Sequence, residues 1–264
     1  RDINLFPAQQ AFATLSTTGA QIPYFTRPNG ARPFTDFGRI TVFESGADSS
    51  YHAGFVQFTK RYSRNFQLLA SYTYSKVIDS RPDATSVVPG GGDDADTLNQ
   101  NAEGALGDTN IKHRFVGSAV YDITYFNGLS GVGKYFLGGW QVSAIFQGQS
   151  GRPFNATAPS DLNLDGNSHN DRAPGFGRNT ITGLGFASLD LRVSKDVPLY
   201  REKVKLRLMG EAFNSLNRAN YSGLQTTPYS FNATTRVLTP QTNFLNNTAS
   251  FDPRILQIAA RITF

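Results

Sequence analysis

The residues best placed to do chemistry lie in one polar segment, Asp161-Leu162-Asn163-Leu164-Asp165-Gly166-Asn167-Ser168-His169-Asn170-Asp171. Oxygen-bearing side chains at the first, third and fifth places, then Gly at the sixth, match the front half of an EF-hand-type calcium loop. Alternate residues can turn inward around a hard cation, and Gly permits the sharp bend. The place that such a loop gives to a closing Glu holds Arg172, with Asp171 beside it as a substitute. Asp161, Asn163, Asp165 and Asp171, with a backbone carbonyl near Asn167, therefore form a candidate calcium site, and Ca2+ is the one candidate cofactor. The same residues also make an ordinary polar turn, because Asn, Asp and Gly tolerate left-handed backbone. Gly90-Gly91-Gly92-Asp93-Asp94 reads as a flexible acidic loop before it reads as a second cation site. His52, His113 and His169 are too scattered for zinc. No Ser-His-Asp order, nucleophile elbow or phosphate-binding loop stands out, so catalysis is not expected.

A second set of polar residues is spread singly through apolar stretches: Gln147, Asp190, Arg192, Arg207, Glu211 and Arg261. They suit the lining of a lumen, with cross-strand pairing in a wet interior as their plainest role. What must position them is a series of strands, since the hydrophobic pattern has period two almost throughout. Phe66, Leu68, Ala70, Tyr72 and Tyr74 alternate with Gln67, Ser71, Thr73 and Ser75. Phe115, Gly117, Ala119, Tyr121 and Ile123 share a face, as do Trp140, Val142, Ala144, Phe146 and Gly148. Leu189, Leu191 and Val193 oppose Asp190, Arg192 and Ser194, while Val204, Leu206 and Leu208 oppose Lys205 and Arg207. Leu256, Ile258, Ala260, Ile262 and Phe264 oppose Gln257, Arg261 and Thr263. Two weaker strands are expected near 38–45 and 50–61.

The connections alternate in length. A tight turn near Tyr62-Ser63, a moderate link over 124–138 and a short turn over 197–202 are separated by long loops over 77–110, 151–180 and 215–252. A compact soluble domain seldom holds three structureless loops of about 30 residues. Short turns at one end and long loops at the other are the layout of an outer-membrane barrel, whose strands of roughly 10 residues span the bilayer at a tilt. Composition agrees: 21 Phe, 11 Tyr and 25 Gly accompany only 39% hydrophobic residues. There is no cysteine, which excludes disulfides and thiolate metal sites. No run of about 18 apolar residues exists, so no membrane helix is expected. The net charge of +5 is scattered rather than blocked, and nucleic acid is not an expected partner. Arg1 opens the sequence and Met209 is its only methionine, so a processed product or a piece of a longer protein is expected.

These readings converge on an all-β fold, an antiparallel transmembrane β-barrel segment of about eight to ten strands within a larger barrel. Residues 1–37, with four prolines, are expected to be an irregular link with room for one strand, and 38–264 to be the barrel strands and their loops. The chain ends Arg261-Ile262-Thr263-Phe264 inside an alternating strand, with Ile262 and the terminal aromatic Phe264 resembling the signal read by the barrel assembly machinery. A last strand with an open edge can be captured by strand addition.

Gly38-Arg39-Ile40-Thr41-Val42-Phe43-Glu44-Ser45, Ser49-Ser50-Tyr51-His52-Ala53, Lys60-Arg61-Tyr62 and Ala70-Ser71-Tyr72-Thr73-Tyr74-Ser75-Lys76 are similar to late barrel strands of TonB-dependent transporters. They are closest to the Oar-like, Acidobacteria-type branch. His113-Arg114-Phe115-Val116, Gly138-Gly139-Trp140-Gln141-Val142-Ser143, Ser150-Gly151-Arg152-Pro153-Phe154 and Phe213-Asn214-Ser215-Leu216-Asn217-Arg218 fit the same pattern in the same order. The resemblance covers residues 34–264 and is specific as an ensemble. It implies a place in the bacterial outer membrane among its lipids, and uptake of a large nutrient recognised outside the cell. It also implies energy coupling by TonB through an N-terminal plug region that these motifs do not include. The rivals are a structural or adhesive outer-membrane protein without transport, and a soluble carbohydrate-binding β-sandwich whose aromatic face would pack against a second sheet. Deleting Phe264 should block outer-membrane assembly, read as loss of the heat-modifiable band on gels; normal surface levels would count against the assembly signal.

Overall fold

A computed structural model describes residues 3–6, 8–27, 32–38, 40, 42, 48–80, 104–126, 128–129, 131–164, 166, 168, 171–200 and 204–264. Its main element is one antiparallel sheet built from the alternating segments. Seven long strands carry it: β3 (Ser49–Ser63), β4 (Phe66–Asp79), β6 (His113–Ile123), β7 (Trp140–Gln149), β10 (Phe186–Tyr200), β11 (Val204–Phe213) and β16 (Ile255–Thr263). The two-residue β5 (Ala105–Leu106) adds to the end of β4. The strand order is β3-β4-β6-β7-β10-β11-β16, that is, chain order without a crossover. The sheet is not closed into a barrel, and both β3 and β16 carry an unpaired edge among the described residues. The sequence suggested one such edge.

Beta-branched and aromatic residues favour this pleated surface, and turn chemistry sets its register. Arg64 and Asn65, with φ of 51° and 64°, form the two-residue turn between β3 and β4. Positive φ at both positions gives the primed turn whose twist matches the strands. The tight turn therefore falls just after Tyr62-Ser63, where it was expected. β10 continues to Tyr200, through the expected turn at 197–202.

Successive side chains alternate between faces, so the register decides which residues share one. Leu191 lies opposite Ala144 and Ala212, Tyr121 opposite Val142 and Phe66, and Leu206 opposite Ile262. This apolar face is not covered. Val56, Phe58, Phe115, Phe146, Leu191, Val193, Leu208, Leu256 and Ile258 are all exposed on it, Ile258 by 90%. A soluble sandwich would bury such a face under a second sheet; among the described residues no sheet stacks on it, which removes the sandwich reading.

The buried apolar residues lie elsewhere. Ala13, Ala156, Ala158, Leu162, Ala173 and Leu238 all belong to a cap at the loop end of the sheet. The cap brings together a segment expected to be irregular and two loops expected to be structureless. Within 1–37, two strands form, β1 (Gln9–Leu15) and β2 (Gln21–Thr26), rather than at most one. They pair as a hairpin, and β1 runs parallel to β14 (Val237–Pro240), which pairs with β13 (Tyr229–Asn232). Pro23 is tolerated because β2 is an edge strand. The other loop strands are also short: β8 (Pro153–Phe154) pairs with β9 (Ile181–Thr182), and β12 (Tyr221–Leu224) with β15 (Asn247–Ser250). Elements of two to four residues are too brief to show a period.

Of the weak strand expected at 38–45, Gly38, Ile40 and Val42 lie outside any strand, and the rest lies outside the described residues. The buried Asn4 organises that neighbourhood instead, donating to the carbonyls of Phe34, Phe37 and Gly38 at 3.0, 3.0 and 2.8 Å. Gly90 to Asp94 also lie outside the described residues. One helix, α1 (Val132–Leu137), interrupts the link between β6 and β7.

Side-chain amides finish the sheet where its ladder stops. Buried Asn220 accepts from the Ala187 N–H at 2.9 Å and donates to the Ala187 carbonyl at 2.8 Å, as a neighbouring strand would. Asn220→Ala leaves both groups unpaired and should cost about 1–3 kcal/mol. The check is the temperature at which the heat-modifiable band converts on gels, which should fall.

Candidate functional site

The polar face of the sheet collects all six residues expected on it. Gln147 lies opposite Ser188 and Val116, and Asp190 opposite Ile145. Arg192 lies between Ser143 and Glu211, and Glu211 in turn lies opposite Gln257. Arg207 lies between Asp196 and Arg261. Alternation through these registers puts them on one surface, opposite Leu191, Trp140 and Ile258.

Cross-strand pairing satisfies most of this charge. Arg192 donates from Nε to Glu211 Oε1 at 2.5 Å. Arg207 grips Asp196 with both prongs, Nε to Oδ1 at 2.6 Å and Nη2 to Oδ2 at 2.7 Å. The planar fork of arginine matches the two carboxylate oxygens, which makes the second pair the more directional. Asp190 accepts from the Ser188 hydroxyl at 2.9 Å and from the Asn214 backbone N–H at 2.8 Å, tying β10 to the start of the next loop. Arg261 stands directly across from Arg207 on the outermost strand. With Asp196 neutralising Arg207, that face of β16 presents one cation at the open edge. Beyond it, Phe264 is 98% exposed and Ile262 also projects from the edge strand.

Asp196, Asp122, Gln141 and Tyr62 were not among the site residues expected from the sequence. They form a polar cluster at the turn end of the same face, around a cleft of about 300 Å³. The Tyr62 hydroxyl donates to one oxygen of Asp122, and Gln141 Nε2 donates to the other at 2.7 Å. The signal was present, since Asp190, Arg192, Ser194 and Asp196 keep step two apart. Asp196 falls inside the strand expected before the turn at 197–202, and its partner Arg207 lies on the next strand.

At the loop end, a second cleft of about 410 Å³ opens where the cap meets the sheet. Phe154, Leu184, Phe186, Tyr221 and Phe251 line it, together with Arg152. Phe186 and Phe251 meet edge to face at 5.4 Å, a favoured aromatic geometry. Gln149 and Phe186 lie opposite each other on the polar face, so this cleft is continuous with that face. The cap above it is rigidly tied. Arg178 bridges to Asp79 at 2.5 Å, and the Thr157 N–H donates to the Thr226 carbonyl at 3.0 Å.

The candidate calcium loop lies within the cap. Asp165 and Asn167 lie outside the described residues. Asp161 accepts from the Gly166 N–H at 2.8 Å, and Asp171 from the Leu162 N–H at 3.1 Å. The Asn163 carbonyl accepts from both the backbone N–H and the guanidinium of Arg27, each at 3.1 Å. These bonds tie Leu162 to Asp171 and Asn163 to Arg27 at the end of β2. Among the described residues no three His, Asp or Glu side chains gather as a metal site.

The two faces differ in what they tolerate. A lysine on the lipid side of a barrel near mid-depth costs roughly 2–4 kcal/mol, and far less on the lumen side. Leu191→Lys should therefore weaken folding into phospholipid vesicles by about that amount, and Ser143→Lys much less. Urea titration of the folded fraction measures both, and equal losses would undo the assignment of faces.

The chain matches the family model described as an outer membrane beta barrel domain over residues 1–175 and again over 174–257. No curated protein matches it. The matched segments take in the cap and nearly all of the sheet, and the uncovered apolar face is the surface that such a domain turns to lipid. The chain thus belongs to the outer membrane β-barrel domain family, and its place is the bacterial outer membrane.

Proposed function

We propose that the chain forms part of the barrel of a TonB-dependent receptor that takes up a large nutrient, without catalysis of its own. The observation that carries this reading is the direction of the two edge strands. β3, β6, β10 and β16 run from the loop end to the turn end, and β4, β7 and β11 run back. β3 and β16 are therefore parallel to each other, and pairing them would break an all-antiparallel ring. Single-chain bacterial barrels have an even number of antiparallel strands. An odd number of further strands must come between these edges, which gives a barrel wider than these strands alone could make.

A wide barrel with a charged, internally paired wall suits passage of a bulky polar solute past a plug. The aromatic cleft beneath the cap suits its capture from outside. TonB would act through a plug region beyond the described strands, and the barrel assembly machinery would receive β16 at its open edge. The cap, with its own apolar core, also favours a second reading: a structural or adhesive barrel that displays the cap to a surface partner.

Titrating the C-terminal domain of the host TonB into the full-length protein in detergent should give saturable heat. In planar bilayers the same protein should conduct little. Absence of heat together with a permanently open pore would rule out energy-coupled transport and leave the structural reading.

A further inference from the structure

The longest connection at the turn end, residues 124–139, holds no acidic residue and one lysine, Lys134. The turn end is the periplasmic end of an outer-membrane barrel, where connections are short. This one is long and exposes large apolar side chains: Tyr125 by 79%, Val132 by 73%, Phe136 by 70% and Tyr135 by 51%. Phe126, Leu129 and Leu137 are exposed beside them. On α1, Val132, Tyr135 and Phe136 stand three and four apart and so form one stripe. An apolar cluster of this size on a secreted surface marks an interaction site.

Its tethers show which way it faces. The Tyr121 hydroxyl donates to the Tyr125 hydroxyl at 2.8 Å. The Trp140 indole donates to the Phe136 carbonyl at 3.0 Å. The Lys195 ammonium donates to the Gly138 carbonyl at 2.5 Å and lies 4.8 Å from the centre of the Trp140 ring. Tyr121, Trp140 and Lys195 all sit on the apolar face by register, Trp140 directly opposite Lys195. The acids at the same end, Asp122 and Asp196, fall on the polar face, engaged with Tyr62, Gln141 and Arg207. Gly139 closes the link against β10 with φ of +75°, where a Cβ would come 2.6 Å from the Asp196 carbonyl oxygen. The link is thus drawn to the outside of the barrel wall, continuous with the lipid-facing surface, and not across the lumen.

We propose that Tyr125, Phe126, Leu129 and α1 lie in the headgroup region of the periplasmic leaflet as an interfacial anchor whose partner is phospholipid. The chemistry matches that depth. Tyr and Trp keep an apolar ring in the acyl boundary and a polar tip towards water. Lys195 is buried between the Gly138 carbonyl and the Trp140 ring, so its charge holds the link against the wall. A segment with a cation and no anion suits phospholipid phosphates. The anchor holds the wall at one depth beside the β6–β7 hairpin and depends on no transport activity.

The chain has no cysteine, so nitroxide labels at Val132→Cys, Tyr135→Cys and Phe136→Cys report this segment once any cysteine elsewhere in the full-length protein is replaced by serine. The full-length protein is reconstituted in vesicles of phosphatidylcholine and phosphatidylglycerol, and collisions of each label with oxygen and with a water-soluble nickel chelate are compared. Oxygen should dominate at the three sites, as it should for a label at Leu191→Cys on the lipid face. A label at Ser143→Cys on the polar face should favour nickel. Labels on α1 that behave like Ser143→Cys would overturn the proposal, whether the link hangs in water or awaits a protein partner. Trp140 is the only tryptophan of these 264 residues, and the difference in emission between the full-length protein and its Phe136→Ser variant gives a second reading without labels. In Phe136→Ser its emission should shift to the red as the anchor lifts, with the heat-modifiable fold retained; unchanged emission would also overturn the proposal.

Discussion

A backbone N–H or carbonyl has no water to turn to inside a bilayer, and each one left unpaired there costs several kcal/mol. That constraint organises this chain. It requires every lipid-spanning segment to be a strand with paired backbone groups, and it explains why the sheet follows chain order, each strand meeting the next as soon as a turn or loop allows. It also makes the outer edges of β3 and β16 the least settled part of the molecule. Their shared direction excludes mutual antiparallel closure.

The same constraint inverts the usual place of the core. A soluble protein of this size buries its apolar side chains at its centre. Here the sheet leaves its apolar face uncovered for lipid and gives its polar face to water, so neither needs a second layer. The side chains removed from solvent, such as Ala13, Leu162 and Leu238, lie in the cap, where water is the surrounding medium and burial still stabilises. The cap is therefore the part of the fold with a conventional apolar interior. It has a four-stranded sheet, a small apolar interior and an ion pair, Arg178 with Asp79, fastening it to β4.

The polar face shows how a barrel wall carries charge without instability. Directly opposed residues of opposite sign neutralise each other, as Arg192 does with Glu211 and Arg207 with Asp196. The contribution of each exposed pair is modest. What the pairs do is fix side-chain direction, so that the wall keeps a defined polar relief. At the periplasmic rim this relief meets an apolar counterpart on the outside, the link around α1. Acids and amides turn inwards there, while aromatics and Lys195 turn outwards, a division set by the pleat of β6, β7 and β10.

Much of this was legible in the order of residues alone. Period-two alternation is a local property, so the strands from Phe66 onwards, the common face of Gln147, Arg192, Arg207 and Arg261, and the open last strand ending at Phe264 followed from the sequence by itself. Turn chemistry and connection length likewise set which end is compact and which is elaborate. What the sequence could not determine was every contact whose partners lie far apart along the chain. Thr14 pairs with Val237, Arg27 reaches Asn163, and Asp79 holds Arg178. No local pattern encodes such meetings, because a strand of four residues has too few alternations to declare itself and gains its stability only from the partner. The tertiary structure alone decided that the N-terminal segment and two loops would fold into one cap. It decided in the same way that the link after β6 would turn its aromatics outwards, since the tethers at Tyr121, Trp140 and Lys195 exist only once three strands stand side by side.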